Sequence, residues 1–143
     1  MKRSIILSIT IISALLWYGC THNSSSHTSD QQNVKSIYSN QPPAFAFTEE
    51  MHNFGDLREG DIVTYTFVFK NKGGKDLIIK SVDVGCSCTK AKWPHEAIRP
   101  GQEGEIEVTL DTSGEAGNLW KVVFVNANTV EQHKELSFTA NVF

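Results

Sequence analysis

From Ala44 onward, apolar and polar residues alternate along the chain with a period of two. Three segments show this most clearly, and in each of them the apolar residues share one face of the predicted strand. The three sets are Val63, Tyr65, Phe67 and Phe69; Ile106, Val108 and Leu110; and Leu136, Phe138, Ala140 and Val142. Such alternation, carried by β-branched and aromatic residues, is typical of strands with one buried face. Further strands are predicted over residues 77–84 and 119–125, and no segment predicts an amphipathic helix.

The segments between these strands have the composition of turns. Residues 71–76, 99–102 and 113–117 are rich in glycine or contain proline next to glycine, which supply backbone conformations that turns need. Antiparallel sheets with one polar face can bury their apolar faces against each other. The pattern therefore predicts an all-β sandwich of about seven antiparallel strands over residues 44–143.

The first residues differ from the rest. Lys2 and Arg3 precede an apolar run over residues 5–16, which is the arrangement of a secretory signal peptide. The run is shorter than the roughly 20 residues that a membrane-spanning helix needs. We therefore expect residues 1–19 to be a signal peptide and the chain to be exported.

The end of this run resembles the lipidation signal of bacterial lipoproteins. Gly19 and Cys20 match that signal, whereas Trp17 and Tyr18 depart from it. Lipidation of Cys20 is expected, which would make a membrane the first partner, and simple cleavage that leaves Cys20 an ordinary thiol is the alternative. The polar segment 20–43, rich in Ser, Gln and Asn, is expected to be a flexible tether. These features predict a lipid-anchored protein of the bacterial cell envelope, at the periplasmic face or the cell surface.

Charge and motifs exclude several functional classes. The net charge is −3 and the basic residues are dispersed, so no nucleic-acid partner is expected. Nucleophile-elbow, zinc-protease and phosphate-loop motifs are absent from the sequence. We therefore expect a protein that is not an enzyme and carries no cofactor.

A set of short motifs recurs in a recognisable order: Phe54-Gly55, Asn71-Lys72-Gly73, Cys86-Ser87-Cys88-Thr89 and Pro100-Gly101. Over about residues 45–143 this order resembles a bacterial lipoprotein family called domain of unknown function one-five-seven-three. That family is similar to major sperm protein and PapD-like domains. The resemblance implies an immunoglobulin-like sandwich and no established catalytic activity. Ser87 departs from it, because glycine usually separates the two cysteines.

Cys86 and Cys88 admit three interpretations. They could be small packing residues, a disulfide with a redox role, or two thiolate ligands of a soft metal such as Cu(I) or Zn(II), with His95 as a third ligand. On a regular strand, residues two apart lie about 6.5 Å from each other, too far for a disulfide. A bridge would therefore need a tight turn or bulge, which Gly85 would permit.

The functional hypothesis is a non-catalytic binding or scaffolding module displayed at the envelope. Its partner is expected to be another envelope protein, bound by adding a strand at a sheet edge. The alternative is a redox or copper/zinc-handling protein that uses Cys86 and Cys88. A third hypothesis is glycan binding through exposed aromatic residues, although Trp93 and Trp120 are expected to cover the core or an edge.

Overall fold

A computed structural model describes residues 40–143. Within that range the chain forms eight β-strands and no helix. The strands are β1 (Phe45–Phe47), β2 (Met51–Leu57), β3 (Ile62–Asn71), β4 (Ile79–Val84), β5 (Thr89–Lys92), β6 (Glu103–Asp111), β7 (Gly117–Ala127) and β8 (His133–Val142). The first sheet has the strand order β1-β3-β6-β5, and the second sheet has the order β2-β8-β7-β4.

The predicted all-β sandwich is confirmed, with two differences in detail. There are eight strands instead of about seven, because β1 and β5, of 3 and 4 residues, are too short to show a clear alternation. The sheets are also not wholly antiparallel, since β2 pairs in parallel with β8. This pairing joins the two ends of the domain, and local periodicity carries no information about which distant strands become neighbours.

The core lies between the two sheets and is built from the alternating faces that the sequence predicts. Ile106, Val108 and Leu110 of β6 are fully buried, and so is Leu136 of β8. Close packing also explains a glycine in β6, because a Cβ atom on Gly104 would lie 2.5 Å from the ring of Phe69. A larger residue there would displace the aromatic ring from the core.

The two tryptophans have different environments. Trp93 is partly buried and packs against the core, as expected. Trp120 leaves 66% of its surface exposed, so the prediction that it covers the core or an edge is wrong. Its neighbours Leu119 and Val123 take the inward positions of β7 and place the indole on the outer face of the second sheet.

Asn71 is a fully buried polar residue at the end of β3. Its side-chain nitrogen donates to the carbonyl oxygens of Lys75 at 2.8 Å and Ile98 at 2.9 Å, and its side-chain oxygen accepts from the N–H of Gly73 at 2.9 Å. Its own backbone bonds to residues 101 and 102. Asn71 thus links the turn after β3 to the loop before β6, with its buried polar groups hydrogen-bonded.

Thr112 has the corresponding role near the other end of β3. It is fully buried, and its hydroxyl donates to the carbonyl oxygens of Arg58 at 2.7 Å and Asp61 at 3.0 Å. These contacts attach the turn between β2 and β3 to the end of β6. Each end of β3, the longest strand of the first sheet, is therefore held by one buried polar side chain: Asn71 at one end and Thr112 at the other.

The predicted signal peptide, the lipidation site Cys20 and the tether up to residue 39 lie outside the described residues. The last residues before β1 lie against the domain, since Pro43 is buried and the N–H of Gly74 donates to the carbonyl oxygen of Gln41 at 3.1 Å. No helix within residues 40–143 is long and apolar enough to cross a membrane.

Replacement of Asn71 by alanine should lower the free energy of unfolding by about 2–4 kcal/mol. The change leaves the partly buried N–H of Gly73 and carbonyl of Lys75 without this partner, and the buried carbonyl of Ile98 keeps only its bond from the N–H of Leu77. Each group that water cannot reach costs about 1–3 kcal/mol. Chemical denaturation of the domain measures this loss. The matched control is Asn128→Ala, which removes two similar bonds at an exposed position and should cost about 1 kcal/mol or less. Equal losses would contradict a special role for Asn71.

Candidate functional site

The chain crosses from the second sheet to the first through a tight turn between β4 and β5. The N–H of Thr89 donates to the carbonyl oxygen of Cys86 at 3.3 Å. A disulfide joins Cys86 to Cys88, whose Cα atoms are 5.3 Å apart. The strand does not run on unbroken past Val84, and the turn that a bridge between such close cysteines requires is present.

The disulfide lies beside a buried hydroxyl and a carboxylate. The hydroxyl oxygen of Thr89 is 3.3 Å from the sulfur of Cys86 and 3.7 Å from that of Cys88. A carboxylate oxygen of Glu115 and the two sulfurs all lie within 4.8 Å of one another. The side chains of these residues are all partly or fully buried. The bridge is therefore partly buried, with these polar groups beside it and with Cys88 packed against the core.

Glu115 is held in place by an ion pair with Lys121. The carboxylate and the ammonium group are 3.0 Å apart, and their side chains are 24% and 22% exposed. Lys121 occupies the same register of β7 as the buried Val123 and Val125. A charged residue in the inward register of a strand needs a partner. The sequence analysis did not identify Glu115 or Lys121, and a lysine within the apolar segment 119–125 was the signal that could have indicated a polar site here.

His95 is not part of this site. It is exposed and contacts the ring of Trp93 edge-on, with the ring centroids 5.3 Å apart. Among the described residues, the third ligand-type group near the two cysteines is Glu115, not His95. The expectation that His95 supplies a third ligand is wrong, because β5 carries the chain away from the turn before residue 95 is reached.

The chemistry of the site depends on the oxidation state of its sulfurs. As a disulfide, neither cysteine is a thiolate, so neither can bind a soft metal. Reduction would provide two thiols next to a carboxylate that is already paired with Lys121. Thiol–disulfide exchange is therefore possible at this site directly, whereas metal binding first requires reduction.

The bridge contributes little to the stability of the fold. It joins residues separated by 2 positions in the sequence, and a closed loop of about three residues restricts the unfolded chain by only about 1.6 kcal/mol on the chain-entropy scale. A bridge across about 100 residues would contribute about 4.7 kcal/mol on the same scale. The disulfide shapes one turn and does not staple the two sheets together.

A second cluster of titratable groups lies where β2 meets β3. The ring of His52 stacks on that of Tyr65 at 3.5 Å, and the hydroxyl of Tyr65 donates to Glu49 at 2.7 Å. The bond to the carboxylate favours the protonated hydroxyl, so it raises the pKa of Tyr65 above its usual value. The hydroxyl of Tyr65 therefore stays protonated at neutral pH as a hydrogen-bond donor, and the cluster has the properties of a structural contact.

The outer face of the second sheet carries exposed apolar side chains. Trp120 and Phe124 of β7 are 66% and 39% exposed, and Met51 of β2 is 54% exposed. Val122 lies between Trp120 and Phe124 in the same register, and Ser137 of β8 separates it from Met51. Exposed apolar groups that adjoin one another on a sheet indicate a contact surface.

The sheet edges are protected to different degrees. β1 has 3 residues and β5 has 4, two of them Lys90 and Lys92, and β2 contains a bulge between Asn53 and Asp56. Short strands, lysines and bulges all discourage pairing with another chain. β4, with 6 residues, also carries Lys80 and a register shift between Ile79 and Ser81, but it is longer than β1 and β5.

Two four-stranded sheets with this arrangement define an immunoglobulin-like β-sandwich. The profile of the family described as "Protein of unknown function (DUF1573)" matches residues 45–142, so the chain belongs to that family. The resemblance seen in the sequence is thereby confirmed. The description of the family names no activity.

Solved structures share the fold at low sequence identity. A protein of unknown function from Porphyromonas gingivalis has a TM-score of 0.64 and 15% identity, with 72% of this chain and 48% of that chain covered. The PapD-like domain 7 of human CEP192 has a TM-score of 0.53 and 9% identity, with 69% and 84% covered. The secreted serine protease VesC from Vibrio cholerae has a TM-score of 0.53 and 11% identity, with 75% and 24% covered.

These likenesses show the fold alone. This chain spans about half of the Porphyromonas protein and a quarter of the Vibrio protease. No curated protein matches the chain.

Replacement of both Cys86 and Cys88 by serine should leave a folded domain. The free energy of unfolding should fall by about 1–2 kcal/mol, because only a three-residue loop is released. Thermal unfolding followed by circular dichroism measures the change, expected at about 4–8 °C per kcal/mol for a domain of this size. Wild-type protein treated with a reductant is the control and should match the variant. An unfolded variant would show instead that the bridge is a structural staple.

Proposed function

We propose that the chain is an exported, lipid-anchored and non-catalytic module that binds a ligand at the cell envelope. The observation that carries this proposal is the outer face of the second sheet, where Trp120, Phe124 and Met51 are exposed on a rigid surface. The opposite faces of the same strands are buried in the core, so these side chains are not needed for folding. Aromatic and methionine side chains are enriched in binding surfaces.

The site chemistry supports a binding role over a catalytic one. The two clusters of reactive groups are the disulfide turn and the contacts of Tyr65. In the first cluster the sulfurs are bonded to each other, and in the second the pKa of Tyr65 is raised, which opposes its use as a base. On the outer face of the second sheet, by contrast, the side chains of Trp120, Phe124 and Met51 are exposed to solvent.

The lipid anchor supplies the location in this proposal. Lipidation of Cys20 would hold the domain at a membrane, and the polar segment that follows would let the sandwich turn its outer face toward a ligand. A single domain on a tether suits a protein that captures or positions something near the membrane surface.

A protein partner could also bind by adding a strand to a sheet edge, and β4 is a candidate edge. It is longer than β1 and β5, and among its exposed side chains Lys80 and Asp83 have opposite charges. Strand addition would extend the second sheet on the side away from β2. It would therefore leave the exposed Trp120 free.

The second candidate function is thiol–disulfide exchange at Cys86 and Cys88, which the bonded pair beside Thr89 and Glu115 favours. A dithiol on another envelope protein would attack one sulfur and release the other as a thiolate. The second thiol of the partner would then resolve the mixed disulfide. The products are a reduced Cys86–Cys88 pair and an oxidised partner, so two electrons pass to this protein.

Mass spectrometry of the protein purified from its own membranes tests the anchor and the redox candidate together. The mature chain should begin at Cys20 and carry the mass of a lipid there. An unmodified Cys20, or another N-terminus, would contradict the anchor.

The same measurement tests thiol–disulfide exchange if free thiols are blocked by alkylation during lysis. A mixture of bridged and alkylated Cys86–Cys88 would support exchange, whereas a fully bridged population would contradict it.

Site-specific photo-crosslinking tests the binding face. A photoreactive residue in place of Val122, between Trp120 and Phe124 on the outer face of the second sheet, should give a product of higher mass in intact cells. The matched control is the same residue in place of Thr109, which is partly buried on β6 and faces Thr64 across the first sheet. Equal products at the two positions, or none at Val122, would contradict the proposed binding face.

A further inference from the structure

The polar surroundings of Trp120 distinguish one part of the outer face. Three neighbouring strands bring side chains into register there, in two cross-strand rows. The first row is Asp56, Asn141 and Asn118, and the second is Asn53, Thr139 and Trp120. These six residues line a shallow depression of about 350 Å³, which we call the Trp120 depression.

Two side-chain amides of the depression are free to bind a ligand. The side-chain oxygen of Asn53 accepts the N–H of Gly55 at 2.9 Å, which fixes the side chain, while its nitrogen makes no hydrogen bond among residues 40–143. The side chain of Asn118 makes none within the same range. An amide nitrogen donates and an amide oxygen accepts. Asn53 can therefore donate to a ligand hydroxyl through its nitrogen, and Asn118 can donate to one or accept from one.

The bulge in β2 is what completes the row of polar groups. Gly55 has a φ of 75°, a conformation that favours glycine, and the register between β2 and β8 shifts between Asn53 and Asp56. Both residues therefore face outward although they are three positions apart. Asp56 in turn accepts a hydrogen bond of 2.9 Å from the side-chain nitrogen of Asn141, which holds the first row in place.

Charge limits the ligand class. Among the described residues that line the depression, Asp56 is charged and there is no lysine or arginine. An anionic ligand such as a phosphate would meet a carboxylate and no cation, which is unfavourable. The surface thus suits a neutral ligand with many hydroxyl groups.

We propose that the Trp120 depression binds a neutral saccharide, an inference that rests on the proposed binding role and names its ligand class. A pyranose ring has a face of C–H groups, which can pack on the exposed indole, and a rim of hydroxyls, which can bond the amides of Asn53 and Asn118 and the carboxylate of Asp56. The volume of the depression lies at the lower end of small-ligand sites, roughly 300–1,000 Å³. The central aromatic residue of a protein–protein interface is usually surrounded by groups that exclude water. Trp120 is instead flanked in its row by the polar side chains of Thr139 and Asn53, which favours a ligand with hydroxyl groups.

The test is isothermal titration of the full lipoprotein, in detergent, with hexasaccharides of glucose, mannose, galactose, xylose and N-acetylglucosamine. At least one of the five should bind, and Trp120→Ala should weaken that binding about tenfold or more, the size of one lost aromatic stacking contact. Asn118→Ala should weaken it severalfold. Because Trp120 is exposed, its replacement should leave the unfolding temperature unchanged.

Ile62→Ala is the control. Ile62 is 67% exposed, about as much as Trp120, but it lies on β3 of the first sheet, so saccharide binding should be unaffected. No binding across the panel, or equal losses for Trp120→Ala and Ile62→Ala, would overturn the saccharide proposal. If a crosslinked protein is then found at Val122, the binding role stands and the ligand class is wrong; if no product forms at Val122 either, both fail.

Discussion

The hydrogen bonds of one buried side chain, Asn71, hold the end of the sandwich from which the rest of the domain is arranged. The turn after β3 and the loop before β6 are joined by backbone bonds between Leu77 and Ile98, but these leave the N–H of Gly73 and the carbonyl of Lys75 without a backbone partner. The amide of Asn71 supplies that acceptor and that donor, and it adds a second bond to the carbonyl of Ile98. Since a buried polar group without a partner is costly, the two segments are fixed relative to each other and to β3.

That fixed end determines how the two sheets meet. Ile98, whose carbonyl oxygen is bound by Asn71, also forms a bridge with Leu77 just before β4. The start of the second sheet's edge strand is therefore attached to the loop of the first sheet. β4 then leads into the Cys86–Cys88 turn and returns the chain to the first sheet, so the disulfide lies on a crossover whose entry is already positioned. The three-residue ring is therefore not needed to hold the sheets together.

The sequence predicted the fold well because the buried faces of β3, β6 and β8 alternate cleanly with polar residues. It failed for Trp120 because β7 is apolar in both registers: Leu119 and Val123 alternate with Trp120 and Val122. Periodicity alone cannot decide which of two apolar faces is buried. The inward lysine at position 121 was the one local sign of a polar site. Its partner Glu115 lies six residues earlier, just before β7. The approach of Glu115 to the two cysteines and the rows around Trp120 arise from segments distant in sequence, which local patterns do not specify.

The way the chain enters the domain has a mechanical consequence. A pull on a lipid-anchored N-terminus would reach β1 first, and β3 is the strand with which β1 pairs. That pairing is three residues long and antiparallel, and Pro42 and Pro43 pack against Gly73 just outside it. Detachment of β1 would also pull Phe45 and Phe47 away from Phe69 of the core. A load on the N-terminus would therefore enter the domain through the first sheet, whereas Trp120 lies on the second sheet.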